Sequence, residues 1–149
     1  MTSRRTQTLV PYRAKQMFDL VADIERYPEF LPYCVALRVL DPRPGAQAGL
    51  ITAEMIVAYR SFREKFRSLV RLDEPGLVIE ARYVEGPFRR LTTLWRFEER
   101  EAGSLIDFNI DFEFRSFFLQ TAAATVFERA FEKMSDAFVA RAAEIYGAT

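Results

Sequence analysis

Apolar positions follow two different periods along the chain. Between residues 35 and 114 they recur at every second position, which predicts β-strands that each have one buried face. Residues 117–146 contain no Gly or Pro, and their apolar side chains recur at steps of three and four. This stretch predicts an amphipathic helix about 45 Å long.

Six strands are predicted in the central region, with turn-forming residues between them. Asp41–Gly45 and Glu85–Pro87 are clear turns because each combines Gly and Pro with an acidic residue. The last strand has the cleanest pattern, since five apolar residues from Ile106 to Phe114 alternate with polar ones. The predicted strands cover residues 35–39, 51–59, 62–72, 77–83, 91–97 and 106–114.

The N-terminal region combines a strand with two short helices. Residues 4–10 predict the strand, and residues 14–23 predict a helix with Met17, Leu20 and Val21 on one face. Residues 24–34 contain two prolines and four large apolar side chains, so we expect a broken helix or a single turn packed on an apolar surface. Because each strand has one apolar face, the sheet should curl around the C-terminal helix.

Composition and charge limit the kinds of partner and location that we expect for the chain. A length of 149 residues with 50% hydrophobic and 14% aromatic residues predicts one domain over residues 1–149 with a sizeable core. Lys and Arg together number 21, as do Asp and Glu, and this balance argues against DNA as a partner. The sequence has no apolar run long enough to span a bilayer and no visible targeting segment, so we expect a cytoplasmic location.

The chain contains no His and a single Cys, Cys34. This composition excludes His-dependent catalytic triads, zinc sites that need imidazole and an intramolecular disulfide. We therefore predict no catalytic residue, no metal ligand and no required cofactor.

Three segments resemble the coenzyme-Q-binding START-like family. They are Val10–Tyr12 with Gln16–Asp23 and Tyr27–Cys34, then Glu85–Phe88 with Trp95–Phe97, and finally Ile110–Ser116. The resemblance implies an α+β helix-grip fold, in which a curved antiparallel sheet of about seven strands wraps a long C-terminal helix and two short helices follow the first strand. One departure is Tyr33, where many members of the ubiquinone-binding branch have Trp.

The same resemblance implies a non-catalytic protein that binds ubiquinone or a related prenylated lipid in a hydrophobic cavity. Such a protein would support respiratory electron transport as a quinone chaperone, peripheral to the inner membrane face. Two alternatives stay open. One is a ribosome-association toxin-like protein that binds the large ribosomal subunit. The other is a polyketide cyclase/dehydratase-like enzyme that uses Glu64 and a tyrosine such as Tyr59 or Tyr83 as acid and base. An oligomer also stays open.

The predicted cavity residues are mostly aromatic side chains that face the C-terminal helix. They are Tyr27, Phe30, Leu31, Phe62, Glu64, Phe66, Trp95, Phe97, Phe108, Phe112, Phe127 and Phe131. The alternative for the aromatic residues is an ordinary closed core, and for Tyr27–Pro32 it is a plug that closes the end of the sheet. Glu64, Ser68 and Thr93 are polar residues on the predicted inner face, so Glu64 should be paired, exposed near a strand end or functional.

The opposite face of the strand at residues 62–72 is basic. It contains Arg63, Lys65, Arg67 and Arg71. We expect a solvated face with cross-strand ion pairs, and the alternative is contact with RNA or anionic lipid.

Overall fold

Seven strands and two α-helices make up the part of the chain that the computed structural model describes, residues 2–40, 49–59 and 62–147. The strands are Thr2–Val10 (β1), Cys34–Val39 (β2), Leu50–Tyr59 (β3), Phe62–Asp73 (β4), Val78–Glu85 (β5), Phe88–Arg100 (β6) and Gly103–Phe114 (β7). The helices are Ala14–Ala22 (α1) and Phe117–Tyr146 (α2), and a 3₁₀ helix covers Ile24–Glu29. None of these helices has the length and apolar character needed to span a bilayer.

The strands form one antiparallel sheet in the order β1-β7-β6-β5-β4-β3-β2. The predicted α+β helix-grip architecture is confirmed, including the two short helical segments after the first strand. β6 and β7 begin earlier than predicted, because backbone pairing continues from Phe88↔Phe114 to Arg100↔Gly103 where the apolar alternation stops. The predicted turn at Asp41–Gly45 lies outside the described residues.

The long helix α2 follows β7 and returns across the inner face of the sheet. Its first half contacts β7, with the ring centroids of Phe127 and Phe112 4.9 Å apart. Its second half reaches β6, where Phe138 and Trp95 are 5.1 Å apart. At its end, the Tyr146 hydroxyl donates to the backbone oxygen of Gln16 at 2.8 Å and so ties α2 to α1.

The segment from α1 to the 3₁₀ helix crosses from the β1 edge of the sheet to the β2 edge. α1 packs on β6, where the rings of Phe18 and Phe97 are 5.9 Å apart. Its buried face, which includes Met17 and Val21, joins the main hydrophobic core. One end of the sheet is therefore closed by α1, the 3₁₀ helix and the second half of α2.

Ion pairs cover the outer face of the sheet. Glu54 is 6% exposed and accepts hydrogen bonds from Nε of Arg38 at 3.0 Å and Nε of Arg67 at 2.9 Å. Arg67 also pairs with Glu85 at 2.8 Å. The Arg67 hydrogen bond, supported by Arg38, holds the pKa of Glu54 below its usual range, so this carboxylate stays charged at neutral pH. Cross-strand pairing was predicted for the basic face, and it holds for Arg67, whereas Arg63 has no acidic partner among the described residues.

Gly103 should be the least replaceable glycine of the sheet. A Cβ at this position would lie 1.9 Å from the backbone oxygen of Val10, so one of the two strands would have to move. Gly103→Ala should therefore lower the free energy of unfolding by more than about 3 kcal/mol in urea denaturation. Gly147→Ala is the control, because Gly147 also has a positive φ of 86° but no atom within 4 Å of its Cβ position. Its cost should be about 1 kcal/mol or less, and equal costs would contradict the argument from overlap.

Candidate ligand-binding groove

A continuous series of aromatic contacts runs between the sheet and α2. It begins at Phe62 on β4 and ends at Tyr27 in the 3₁₀ helix, with successive ring centroids 4.2–5.9 Å apart. The rings follow in the order Phe62, Phe114, Phe112, Phe127, Phe131, Phe108, Trp95, Phe138 and Tyr27. Phe97 and Phe30 join as side branches, and Phe66 joins through Phe88, which contacts Phe112 and Phe114. The structure thus brings all the predicted aromatic residues into one connected set.

One part of this set is tightly covered. Phe97, Phe108, Phe112 and Phe131 are each only 4–5% exposed. Phe108 stacks on Phe131 with a centroid distance of 5.7 Å, which joins β7 directly to α2. These contacts agree with the alternative of an ordinary core at these four positions, and a ligand contact there stays a prediction.

The other part lies at the hairpin end of β3 and β4 and is only half covered. Phe62, Glu64 and Phe66 on β4 and Phe127 on α2 are all partly exposed. They surround a second apolar cluster that is separate from the main core, with Phe88 at its centre. We call this half-open space the groove. Its partly exposed members are Phe62, Glu64, Phe66, Tyr83, Ile110, Leu119, Ala123 and Phe127, and its base is the buried cluster of Phe88, Leu91, Phe112 and Phe114.

Two side chains of the Tyr27–Pro32 segment belong to the main core. Tyr27 is 9% exposed and Leu31 is 8% exposed. Burial raises the pKa of the Tyr27 hydroxyl, which donates to the backbone oxygen of Val21. These two side chains therefore act as a plug at this end of α2, and contact with a ligand is left as a prediction.

Phe30 is the partly exposed aromatic residue of the same segment. Its ring lies 5.4 Å from Phe138, and the guanidinium of Arg141 lies 5.1 Å from the Phe30 ring centroid. Arg141 also pairs with Glu29 at 2.9 Å. The segment is thus fixed to α2 by an edge-to-face ring contact, a cation–π contact and an ion pair.

Tyr33 joins this segment to the groove end of the sheet. Its φ is +68°, a left-handed conformation that is unfavourable for a residue with a side chain. Its backbone oxygen accepts from the Ala58 amide at 2.9 Å, and its ring lies 5.2 Å from that of Tyr59. Tyr33, where many members of the ubiquinone-binding branch have Trp, therefore lies at a strained position beside the hairpin end of β3.

Polar groups occur on the inner face where the two apolar clusters meet. On β4, Ser68 lies between Phe66 of the groove and Val70 of the main core. Thr93 has the same position on β6, between Leu91 and Trp95. Neither hydroxyl has a hydrogen-bond partner among the described residues, so both can bind a polar group of a ligand.

Glu64 lies close to the start of β4, opposite Val57 of β3. It is partly exposed and forms no ion pair within the described part of the chain. Of the explanations predicted for this carboxylate, exposure near a strand end agrees with its position. Tyr83, a candidate partner in acid–base chemistry, accepts from the Phe88 amide at 3.2 Å through its hydroxyl, which indicates a structural role.

An open cleft of about 780 Å³ lies elsewhere, between α1 and the turn that follows β4. Its lining includes Asp19, Asp23, Asp73 and Glu74 and contains none of the predicted cavity residues. Four carboxylates suit water and cations better than a prenyl tail. Acidic and Cys side chains of the described residues nevertheless form no cluster that could hold a metal ion.

Three rings of the aromatic set, those of Phe88, Phe114 and Phe138, are not among the predicted cavity residues. The sequence pattern could have identified two of them as inward-facing, since Phe114 continues the alternation of β7 and Phe138 continues the helical period of α2. Phe88 follows a turn and precedes a register shift in β6, so no periodic pattern marks it. It nevertheless contacts Phe66 at 5.2 Å and Phe114 at 4.4 Å.

Comparison with known proteins gives a family match and similar folds. A family model described as "Polyketide cyclase / dehydrase and lipid transport" matches residues 10–139. The ribosome association toxin RatA of Pseudomonas aeruginosa is 35% identical over 147 residues, which cover 98% of this chain and 99% of that protein. The mitochondrial coenzyme Q-binding protein COQ10 homolog B of Xenopus laevis is 30% identical over 141 residues, 91% of this chain and 56% of that protein.

Two solved structures extend the comparison. An 18 kDa protein from Caulobacter crescentus is 33% identical, with a TM-score of 0.81 and coverage of 99% of this chain and 100% of that one. A START superfamily protein from Mycobacterium smegmatis has a TM-score of 0.79 and covers 96% of this chain and 98% of its own. Its identity is 14%, so this likeness concerns the fold alone.

Phe88 and Phe62 provide a test of which part of the aromatic set is closed. Phe88→Ala should lower the free energy of unfolding by about 3–5 kcal/mol, because Phe88 is 6% exposed and contacts four other rings. Phe62→Ala should cost less than about 2 kcal/mol, because one side of this ring faces the groove. Urea denaturation measures both values. Equal large losses would mean that Phe62 is part of a closed core and that the groove is not open.

Proposed function

Because the chain belongs to the polyketide cyclase/dehydrase and lipid transport family, we propose that it binds ubiquinone or a related prenylated lipid in the groove. The protein would act without catalysis, as a quinone chaperone that supports respiratory electron transport at the cytoplasmic face of the inner membrane. Quinone redox chemistry then belongs to the ligand and its partner enzymes.

The half-covered aromatic face of the groove is the observation that carries this proposal. A protein without a ligand would gain by burying Phe62, Phe66 and Phe127 completely, yet all three stay partly exposed. Their rings surround an apolar cluster rather than a set of charged groups. Such a surface favours a flat or branched apolar ligand over a soluble polar one.

The polar positions give the ligand an orientation. A quinone ring has carbonyl oxygens that accept hydrogen bonds, and the hydroxyls of Ser68 and Thr93 are donors without partners among the described residues. The ring would therefore lie near the junction of the two apolar clusters. The prenyl tail would extend along Phe66 and Phe62 towards the open end of the groove.

The size of the domain limits how much tail it can hold. A 149-residue domain has a diameter of about 38 Å, whereas a ten-unit prenyl tail is about 45 Å long when extended. A long tail therefore cannot lie straight inside one chain. The groove would hold a few units, and the remainder would stay in a membrane or under a second subunit.

Ribosome binding is the second candidate function. It is favoured by a relative named ribosome association toxin RatA that is 35% identical and matches 98% of this chain. The balanced charge of 21 basic and 21 acidic residues gives no bulk attraction to RNA phosphates, so we rank it second. A cyclase-like activity ranks third, because Tyr83 is engaged in a structural hydrogen bond.

A fluorescence titration tests the quinone proposal. The chain has one tryptophan, Trp95, which borders the polar junction and should be quenched by a bound quinone ring. Ubiquinone analogues with about two to four isoprene units should bind the monomer at least as tightly as the ten-unit form. Phe62→Ser should weaken binding at least about tenfold, because it places a hydroxyl on the tail path.

Leu69→Ser is the matched control for this titration. Leu69 is on the same strand, 37% exposed, but faces outward, so its replacement should change the affinity less than about twofold. Equal effects of the two variants, or an affinity that rises steadily up to ten units, would contradict binding in the groove. A protein that binds no quinone but sediments with the large ribosomal subunit would instead have the second function.

A further inference from the structure

Two adjacent phenylalanines at the start of α2 are exposed. Phe117 is 87% exposed and Phe118 is 77% exposed. Further along the same helix, Phe131 and Phe138 are turned into the core and are each 4% exposed. Single exposed apolar residues are common on proteins, but two neighbouring Phe rings form an apolar patch of the kind that marks an interaction surface.

This Phe pair lies at the open end of the groove. The amide of Arg115 donates to the backbone oxygen of Pro87 at 2.9 Å, so the start of α2 is joined to the turn between β5 and β6. Phe114, which precedes this helix, contacts Phe62 at the start of β4 with rings 5.9 Å apart. Leu119, next in the chain, packs inside the groove cluster. The exposed pair and the groove therefore meet at the same edge of the molecule.

Three exposed basic side chains belong to the elements that meet at this edge, the start of β4 and the residues before α2. Arg63, Lys65 and Arg115 are exposed and form no ion pair within the described residues. Of the acidic side chains nearby, Glu85 and Glu113 are already paired with arginines, and Glu64 forms no ion pair within the described residues and offsets one of the three positive charges. This edge therefore combines exposed aromatic rings with an excess of positive charge, the pattern that favours an anionic lipid surface.

We propose that Phe117 and Phe118 insert into the surface of an anionic phospholipid membrane, with Arg63, Lys65 and Arg115 contacting the phosphate groups. This inference rests on the proposed function, because it identifies the surface from which the groove takes its ligand. A prenyl tail would pass from the bilayer to the groove beside Phe117 without crossing water. The Tyr27–Pro32 segment offers less apolar surface to a membrane, since Tyr27 and Leu31 are buried.

Vesicle sedimentation of the full chain tests the membrane surface. The wild type should bind phosphatidylcholine vesicles that contain phosphatidylglycerol, and bind phosphatidylcholine vesicles more weakly. The double variant Phe117→Ser/Phe118→Ser should partition at least about tenfold more weakly into both. Arg63→Gln/Lys65→Gln should weaken binding only to the vesicles that contain phosphatidylglycerol.

Leu9→Ser is the control for apolar exposure alone. Leu9 is 71% exposed on β1, away from the groove, so its replacement should change partitioning by less than about twofold. An equal loss in Leu9→Ser, or no loss in the double Phe variant, would overturn the inference. The inference would also be overturned if the double Phe variant kept its membrane binding and its sole effect were to dissociate a dimer or to abolish binding to another protein or to the ribosome.

The quinone titration separates this inference from the proposed function. The double Phe variant should bind a soluble short-tail quinone as tightly as the wild type, because that ligand needs no membrane. It should take up a long-tail quinone from vesicles at least about tenfold more slowly. A wild type that binds quinone but no vesicles would overturn only the membrane surface, and a wild type that binds vesicles but no quinone would overturn only the proposed function.

Discussion

A single α-helix about 10 Å in diameter cannot cover a seven-stranded sheet that is about 29 Å wide. The described contacts of α2 concentrate on one part of the sheet, since Phe127 and Phe131 pack on β7 and Phe138 packs on Trp95 of β6. The remaining inner face must be covered by something else or stay partly open. Most features of the molecule follow from this mismatch in width.

The part of the inner face that α2 leaves uncovered is treated differently at its two ends. At one end, α1 and the 3₁₀ helix fill the space, and side chains such as Met17 and Val21 become fully buried. At the other end the described part of the chain adds no further element, and Phe62, Phe66 and Phe127 stay partly exposed. The same end carries the exposed Phe117, so groove and outer apolar surface are continuous. An apolar ligand that completes the core would stabilise the folded state in proportion to its buried area.

Much of the fold could be predicted from the sequence, because each strand and α2 bury one face and so leave a periodic pattern. The resemblance to the START-like family is confirmed by the family match and the similar folds. Periodicity could not reveal that Glu54 is buried, since it occupies a polar position and is covered by the side chains of Arg38 and Arg67 from neighbouring strands. It also could not locate the Phe117 pair, because a helical pattern does not say where α2 leaves the edge of the sheet. Ligand contact of the predicted cavity residues stays a prediction for the same reason. The alternation along a strand shows which face a side chain is on, but it does not show where along the strand the groove is open.

Photo-crosslinking with a short-tail ubiquinone analogue that carries a photoreactive group tests the groove most directly. After illumination and digestion, mass spectrometry locates the labelled residues. Binding in the groove predicts saturable labelling of residues 62–68 on β4 and 119–127 on α2, competed by unlabelled ubiquinone. Labelling confined to the acidic cleft around Asp19 and Asp73, or labelling that does not saturate, would contradict the account.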